Sequence, residues 1–453
     1  MSVLAPQLEM LERVDLVQVT GRVTGVTGLT VLAEHLPVAV GSMCELLPRR
    51  GAAIVAQVVG FQDERTVLMP LCDPQGISRG DRVRSSAALQ SVPVGRQMIG
   101  RVLDGLGRPI DEAAPFAVEE HYPVLSAAPA ALTRRRIDAQ VGTGIRSIDT
   151  MLAVGKGQRL GIFAGTGVGK SVLMGMIARN TSADVNVVAL VGERGREVGD
   201  FIQRDLGEEG RKRTVMVVST SDRSPVERVR ACFVATAVAE YFRDQGADVL
   251  LMMDSITRMA MAQRQIGLAA GEPPATKGYT PSVFALIPQL LERAGRTQRG
   301  SITGLYTVLV EGDDINEPVA DAVRGTLDGH VWLARKLANR GHYPAVATLE
   351  SISRVMTDVV GDEHKQAAQL VRGVLATWED IEDLVNIGAY APGANVDYDV
   401  AVQMKPQIDA LLRQGMHEAA PVEESAQKLL DLAGRITTLR TKLSAGRPAM
   451  RKE

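Results

Sequence analysis

The chain begins with a short amphipathic stretch, Leu4, Leu8, Met10 and Leu11 within residues 1–14, and then changes its rhythm. A helix this short is marginal alone, so the segment reads either as a frayed terminus or as a partner-docking helix. From residue 15 to about 95 the pattern runs at period two, through Val17, Val19, Gly21 and Val23, then Val55, Gln57 and Val59, then Val67 and Met69. Gly and Pro punctuate these runs every 8 to 12 residues, which predicts a small antiparallel β-barrel or sandwich. A turn-rich crossing follows at Asp104-Gly105-Leu106-Gly107-Arg108-Pro109, and 123–129 reads as a linker.

Between about 140 and 345 the pattern changes again. Short, nearly continuous apolar runs at 158–164, 185–191, 215–219, 249–254 and 304–310 alternate with helical spacing. Such runs fit strands buried on both faces, so this region is expected to be an α/β domain with a mainly parallel sheet. Beyond 355 helical stretches dominate, for example 366–377 and 423–433, and 440–453 reads as a basic, mobile tail. The organisation predicted is a segment at 1–14, a β-barrel domain at 15–95, an α/β domain at 96–355 with a linker at its start, and a helical domain at 356–453.

Composition narrows the class. The 453 residues are 45% hydrophobic and 23% charged, ordinary for a globular protein with a real core. Aromatics are 4% and the net charge is −2, which argues against a nucleic-acid partner. Cys44, Cys72 and Cys232 have neither metal-ligand nor disulfide spacing. No apolar run is long enough for a membrane span or a secretory signal, so a cytoplasmic location is expected.

The chemistry concentrates at strand ends. Ala164-Gly165-Thr166-Gly167-Val168-Gly169-Lys170-Ser171 lies between an expected strand and a helical run. This is the context in which glycine-rich backbone N–H groups cradle phosphates at a helix N-terminus. Lys170 would reach the β- and γ-phosphates of ATP, and Ser171 would offer a hydroxyl to Mg²⁺. Ala164 stands where the motif has its first Gly, at the strand's end, where Ala is tolerable. The apolar run 249–254 closes on Asp254, suited to a second Mg²⁺-associated carboxylate. Glu193 follows another strand in Gly192-Glu193-Arg194-Gly195-Arg196-Glu197 and is the candidate water activator, with Glu197 its competitor one helical turn on. The 271–301 stretch reads as a long loop before a Leu-rich helix, which either reports nucleotide state, meets a partner or is structural. Acidic residues in 310–318 read as supports. On residue chemistry alone, Tyr343 is either a base-stacking face or core, and Arg354 either a charge stabiliser or a surface ion pair.

Together the P-loop, Gly192 to Glu197, Met253-Asp254-Ser255-Ile256-Thr257-Arg258 and Tyr343-Pro344-Ala345 resemble the rotary ATPase catalytic subunit family. More narrowly, Ala239 to Gly246, Gly278-Tyr279-Thr280-Pro281-Ser282-Val283-Phe284-Ala285 and Gly300 to His330 resemble the type III protein export ATPases. Ala338 to Tyr343 and Ala320 to Gly325 look more like flagellar than injectisome members. The resemblance spans about 15 to 435. It implies a β-barrel, a RecA-like P-loop domain and a C-terminal helical domain, working as a homohexamer with its site between subunits. It further implies Glu193 as catalytic glutamate with Arg194 nearby, Arg258 beside the metal carboxylate, Arg354 as an arginine finger for the neighbour's site and Tyr343 stacking adenine. A stator-type regulator, a central stalk protein, an export gate, substrate–chaperone complexes and peripheral contact with the inner membrane are the partners implied. One departure stands out: Ala347 occupies a position where the family usually carries Asp, and Glu350 is a candidate to compensate. The competing readings are a non-catalytic ring subunit, an RNA-translocating hexamer and a true rotary ATP synthase subunit.

Overall fold

The computed structural model describes residues 18–86, 90–310, 312, 314 and 317–445. The amphipathic 1–14 segment, and Glu311, Asp313, Ile315 and Asn316 of the acidic stretch, lie outside these residues.

The period-two region forms a closed barrel rather than a sandwich. Its six strands, Thr20–Thr27, Thr30–Glu34, Met43–Leu47, Ile54–Gln62, Arg65–Pro70 and Arg82–Ser85, are all antiparallel, and the first pairs with the last. Inward positions such as Val23, Val31, Leu46, Val58, Leu68 and Val83 fill the interior. Closure leaves no free strand edge. Ser91–Val94 then leaves the barrel and pairs with Glu120–Pro123; Val92 and Val94 bury into the core of the next unit.

That unit is built on a nine-stranded sheet. From one edge the order is Ile352–Ser353, Gly329–Leu333, Arg159–Ala164, Ser301–Leu309, Asp248–Asp254, Val185–Val191, Thr214–Ser219 and Val102–Leu103, with Gly295–Arg296 folded back onto Ser301–Leu309. The pairings along the path are parallel except at the edge strand Ile352–Ser353. Strands buried on both faces need apolar residues at every position, which is why they read as continuous runs. The helices Lys170–Asn180 and Pro225–Asp244 belong to two separate core clusters of this unit.

Three helices, Asp362–Asn386, Val396–Leu412 and Val422–Ala445, complete the fold. Val371, Leu375, Met404, Leu429 and Ile436 join the same apolar cluster as Leu173 and Met176 of the helix after the P-loop. The expected mobile tail is corrected in part: 440–445 continue the last helix, where Arg440 pairs with Asp397 and Leu439 and Leu443 pack on the core.

Candidate active site at the carboxyl edge of the sheet

Parallel strands aligned in one direction bring their carboxyl ends to one edge, and that edge is where ligands bind in such sheets. The strand Arg159–Ala164 runs into the loop 165–169, and the helix Lys170–Asn180 starts directly after it. Gly167 (φ 80°) and Gly169 (φ 94°) are left-handed, which lets the loop curl its N–H groups inward at the positive end of the helix. Arg335 donates from Nη1 to the Thr166 carbonyl at 3.0 Å and braces the loop from outside. The Ser171 hydroxyl lies exposed in the helix's first turn.

Lys170 Nζ donates to Asp254 Oδ1 at 2.5 Å. Thr307, on the strand between the one that leads into the P-loop and the one that ends in Asp254, donates its hydroxyl to the same oxygen at 2.7 Å. Glu193 Oε1 lies 3.8 Å from Lys170 Nζ. The Glu193 backbone is fastened on both sides: Gly192 N–H donates to Ser219 O, and Ser221 N–H donates to Glu193 O. Lys170, Asp254 and Glu193, the candidates for phosphate cation, metal carboxylate and water activator, therefore converge, although they lie on non-adjacent segments.

Arg258 lies closer to Glu193 than its neighbourhood to Asp254 implied. Its Nη2 is 3.0 Å from Glu193 Oε2, and its Nη1 donates to the Gly192 carbonyl. A β-carbon at Gly192 would come within 3.1 Å of the Arg258 side chain, so this grip needs glycine there. Glu197 reaches the site as well: the Glu193 and Glu197 carboxyls share a hydrogen bond. Burial first, then that hydrogen bond and the nearby Asp254 charge, push the Glu193 carboxyl up to about 7. Glu197 moves the other way, held below the usual carboxylate range by the hydrogen bond from Glu193. Of the two carboxyls, Glu193 therefore holds a proton the more tightly. Arg194 stands apart, its side chain 81% exposed and its ion pair made with Glu197 at 3.9 Å.

Beside the P-loop is a cavity of about 440 Å³. Its walls include Val168, Val172, Tyr343, Pro344, Gln414 and Met416. The Tyr343 ring is 47% exposed and would lie 3.6 Å from a β-carbon at Gly169. An aromatic face over an apolar, P-loop-adjacent cavity suits a purine base. No sequence signal pointed to Gln414 and Met416, which sit in a connection between two C-terminal helices.

The barrel domain of the ATP synthase alpha/beta family matches residues 16–86, the nucleotide-binding domain of that family matches 144–353, and the T3SS EscN ATPase C-terminal domain matches 360–431. The flagellum-specific ATP synthase of Bacillus subtilis is 50% identical over 435 residues, 94% of this chain and 98% of that protein. The chain belongs to the ATP synthase alpha/beta family. Within that family it is a type III export ATPase. Among the solved structures that share its fold are the assembled ATPase EscN from the type III secretion system of enteropathogenic E. coli, with a TM-score of 0.86, 40% identity and coverage of 91% of this chain and 100% of that one, and EscN in complex with its central stalk EscO, with a TM-score of 0.85, 39% identity and the same coverage.

Two further positions in this export ATPase carry information. The edge strand Ile352–Ser353 runs antiparallel to Gly329–Leu333, with Ser353 opposite Gly329, and Arg354 N–H donates to Asp328 O. Asp328 in turn bonds Arg159, at the start of the P-loop strand. Arg354 is thus exposed at the amino edge of the sheet, a full strand length, about 16 Å, from the chain's own P-loop. At Ala347 the loop is braced without a carboxylate. Ser351 Oγ accepts from Trp332 N–H at 2.9 Å and donates to Ala347 O at 2.6 Å. Burial and the nearby Glu379 raise the Glu350 carboxyl, and the Glu350 carbonyl bonds His330.

Among the described residues no helix is long and apolar enough to cross a membrane.

Proposed function

We propose that this chain hydrolyses MgATP as a homohexamer and energises protein export through a flagellar type III apparatus. The observation that carries the reading is the convergence of Lys170, Glu193 and Asp254 at one sheet edge while Arg354 lies at the opposite edge. A chain arranged this way holds most of a phosphoryl-transfer site and offers the missing cation to a neighbour.

Gly165, Thr166, Gly167, Val168 and Gly169 would direct backbone N–H groups at the phosphates, and Lys170 would leave Asp254 for the β- and γ-oxygens. Tyr343 would stack the adenine. Glu193, once deprotonated, accepts a proton from the attacking water, with Arg258 fixing its orientation and Arg194 an exposed cation at the same strand tip. The neighbour's Arg354 would neutralise charge spreading over the γ-phosphoryl oxygens.

The residues fit Mg²⁺. Ser171 and Asp254 supply hard oxygen donors, and Lys170 already places a cation against the Asp254 carboxylate. When bound, Mg²⁺ would offset phosphate charge.

By analogy with EscN and EscO, a central stalk protein would contact the ring. A stator-type regulator, export gate and substrate–chaperone complexes are the further partners proposed, with peripheral attachment to the inner membrane. Ala338 to Tyr343 and Ala320 to Gly325 favour the flagellar system; the likeness to EscN favours the second reading, an injectisome.

Mixing Glu193→Gln chains with Arg354→Ala chains tests the shared site. Each alone should be inactive, whereas random mixed rings regain about a quarter of wild-type phosphate release. No recovery would place the finger within one chain. Restored motility in a strain lacking its flagellar export ATPase tests the system assigned.

A further inference from the structure

We propose that Arg146 is a positioning residue for nucleotide affinity: it fastens the C-terminal segment that walls the base cavity to the domain that carries the P-loop. This rests on the reading that the cavity beside Tyr343 receives the base.

Arg146 opens the short helix Arg146–Met151 and is 7% exposed. Four of its hydrogen bonds cross to the C-terminal unit. Its Nε donates to Leu411 O at 2.9 Å, its Nη2 to Arg413 O and its Nη1 to the Glu418 carboxylate. Its backbone N–H donates to Gln414 Oε1 at 2.9 Å. A planar guanidinium with donors on fixed vectors can hold two carbonyls and a carboxylate in one arrangement, which an ammonium cannot.

The segment so held is the one that closes the cavity. Gln414 uses its side-chain amide entirely for fastening: Oε1 accepts from Arg146, and Nε2 donates to Gly144 O at 2.8 Å and to Glu418 O at 2.9 Å. Its backbone N–H donates to Tyr343 O at 2.9 Å, linking the segment to the aromatic wall. Met416 is anchored separately, through its carbonyl, by Arg179 at 2.6 Å. Glu418 also takes Gly415 N–H at 2.9 Å, so Arg146 and Glu418 clamp the turn from both ends. Arg146 itself does not line the cavity. Its effect must pass through the wall, which predicts a change in affinity for a nucleotide with a base and none for its phosphates alone.

The test uses the full chain and two ligands, ATP as substrate and inorganic tripolyphosphate as a competitive, base-free inhibitor. Arg146→Met should raise KM for ATP about tenfold, because the wall segment loses three charge-assisted hydrogen bonds and only part of that loss reaches the bound base. It should leave kcat within about twofold and the tripolyphosphate inhibition constant unchanged. Arg146→Lys should recover part of the loss, and Glu418→Gln should raise KM about threefold. Tyr343→Ala serves as the control for the base cavity and should raise KM without moving tripolyphosphate inhibition. An unchanged KM in folded Arg146→Met overturns the inference, as does weakening of ATP and tripolyphosphate by one common factor. If Arg146→Met does not fold, an unchanged KM in Glu418→Gln overturns it instead. Failure of Tyr343→Ala to alter KM would instead overturn the base-cavity reading beneath it.

Discussion

Lys170 and Asp254 neutralise each other across 2.5 Å. On the proposed reading of Lys170, an incoming triphosphate must draw it away from that carboxylate. Asp254→Asn should therefore tighten ATP binding severalfold in the presence of EDTA, because an anion facing the phosphates is removed. The same variant should lose hydrolysis about a hundredfold or more. A fluorescent-nucleotide titration beside a phosphate-release assay checks both halves.

The proton shared by Glu193 and Glu197 predicts a pH profile. Glu193, raised to about 7, is neutral below that pH and anionic above it. A water activator must be anionic, so kcat/KM should climb with pH through about 7. Glu197→Gln removes the carboxylate that accepts the proton, and the rising limb should move to lower pH. Arg258→Gln removes a cation that favours the Glu193 anion, and the limb should move up. Identical profiles in all three proteins would discount the pair.

A stability prediction concerns Arg293 and Glu240. Arg293 is fully buried, donates to both Glu240 oxygens and gives Nη1 to Val124 O at 2.6 Å. Arg293→Met alone leaves a carboxylate unpaired in the core and should cost about 3–5 kcal/mol. Replacing both, Arg293→Met with Glu240→Leu, should recover most of that loss in urea unfolding.

At Ala347, the Ser351 brace is expected to make a carboxylate dispensable. Ala347→Asp should leave ATPase activity within about twofold, whereas Ser351→Ala, which strands the buried Trp332 N–H, should destabilise the chain by about 1–3 kcal/mol. Thermal unfolding of the two variants separates these outcomes.

Much of this was readable in the chain because strands buried on both faces leave unbroken apolar runs. The 185–191 strand has the bounds that its run implies. The strand expected from 304 instead begins at Ser301, whose hydroxyl bonds Asp248; a polar start hidden by pairing leaves no hydrophobic mark. Lys170, Glu193 and Asp254 were legible because each ends or soon follows an apolar run within a recognisable motif. The Arg258 grip on Glu193 was not, since it joins residues 65 apart on different elements, nor was the Glu193–Glu197 proton, which only burial creates. Gln414 and Met416 carry no motif; they reach the cavity because the C-terminal helices pack on the P-loop helix.

If Arg354 crosses to a neighbour, its place at the far sheet edge has a consequence for supply and demand in the cell. Isolated chains could bind nucleotide yet consume almost none of it. Specific activity would then rise steeply with local abundance, and fuel would be spent chiefly where enough copies gather to form a ring.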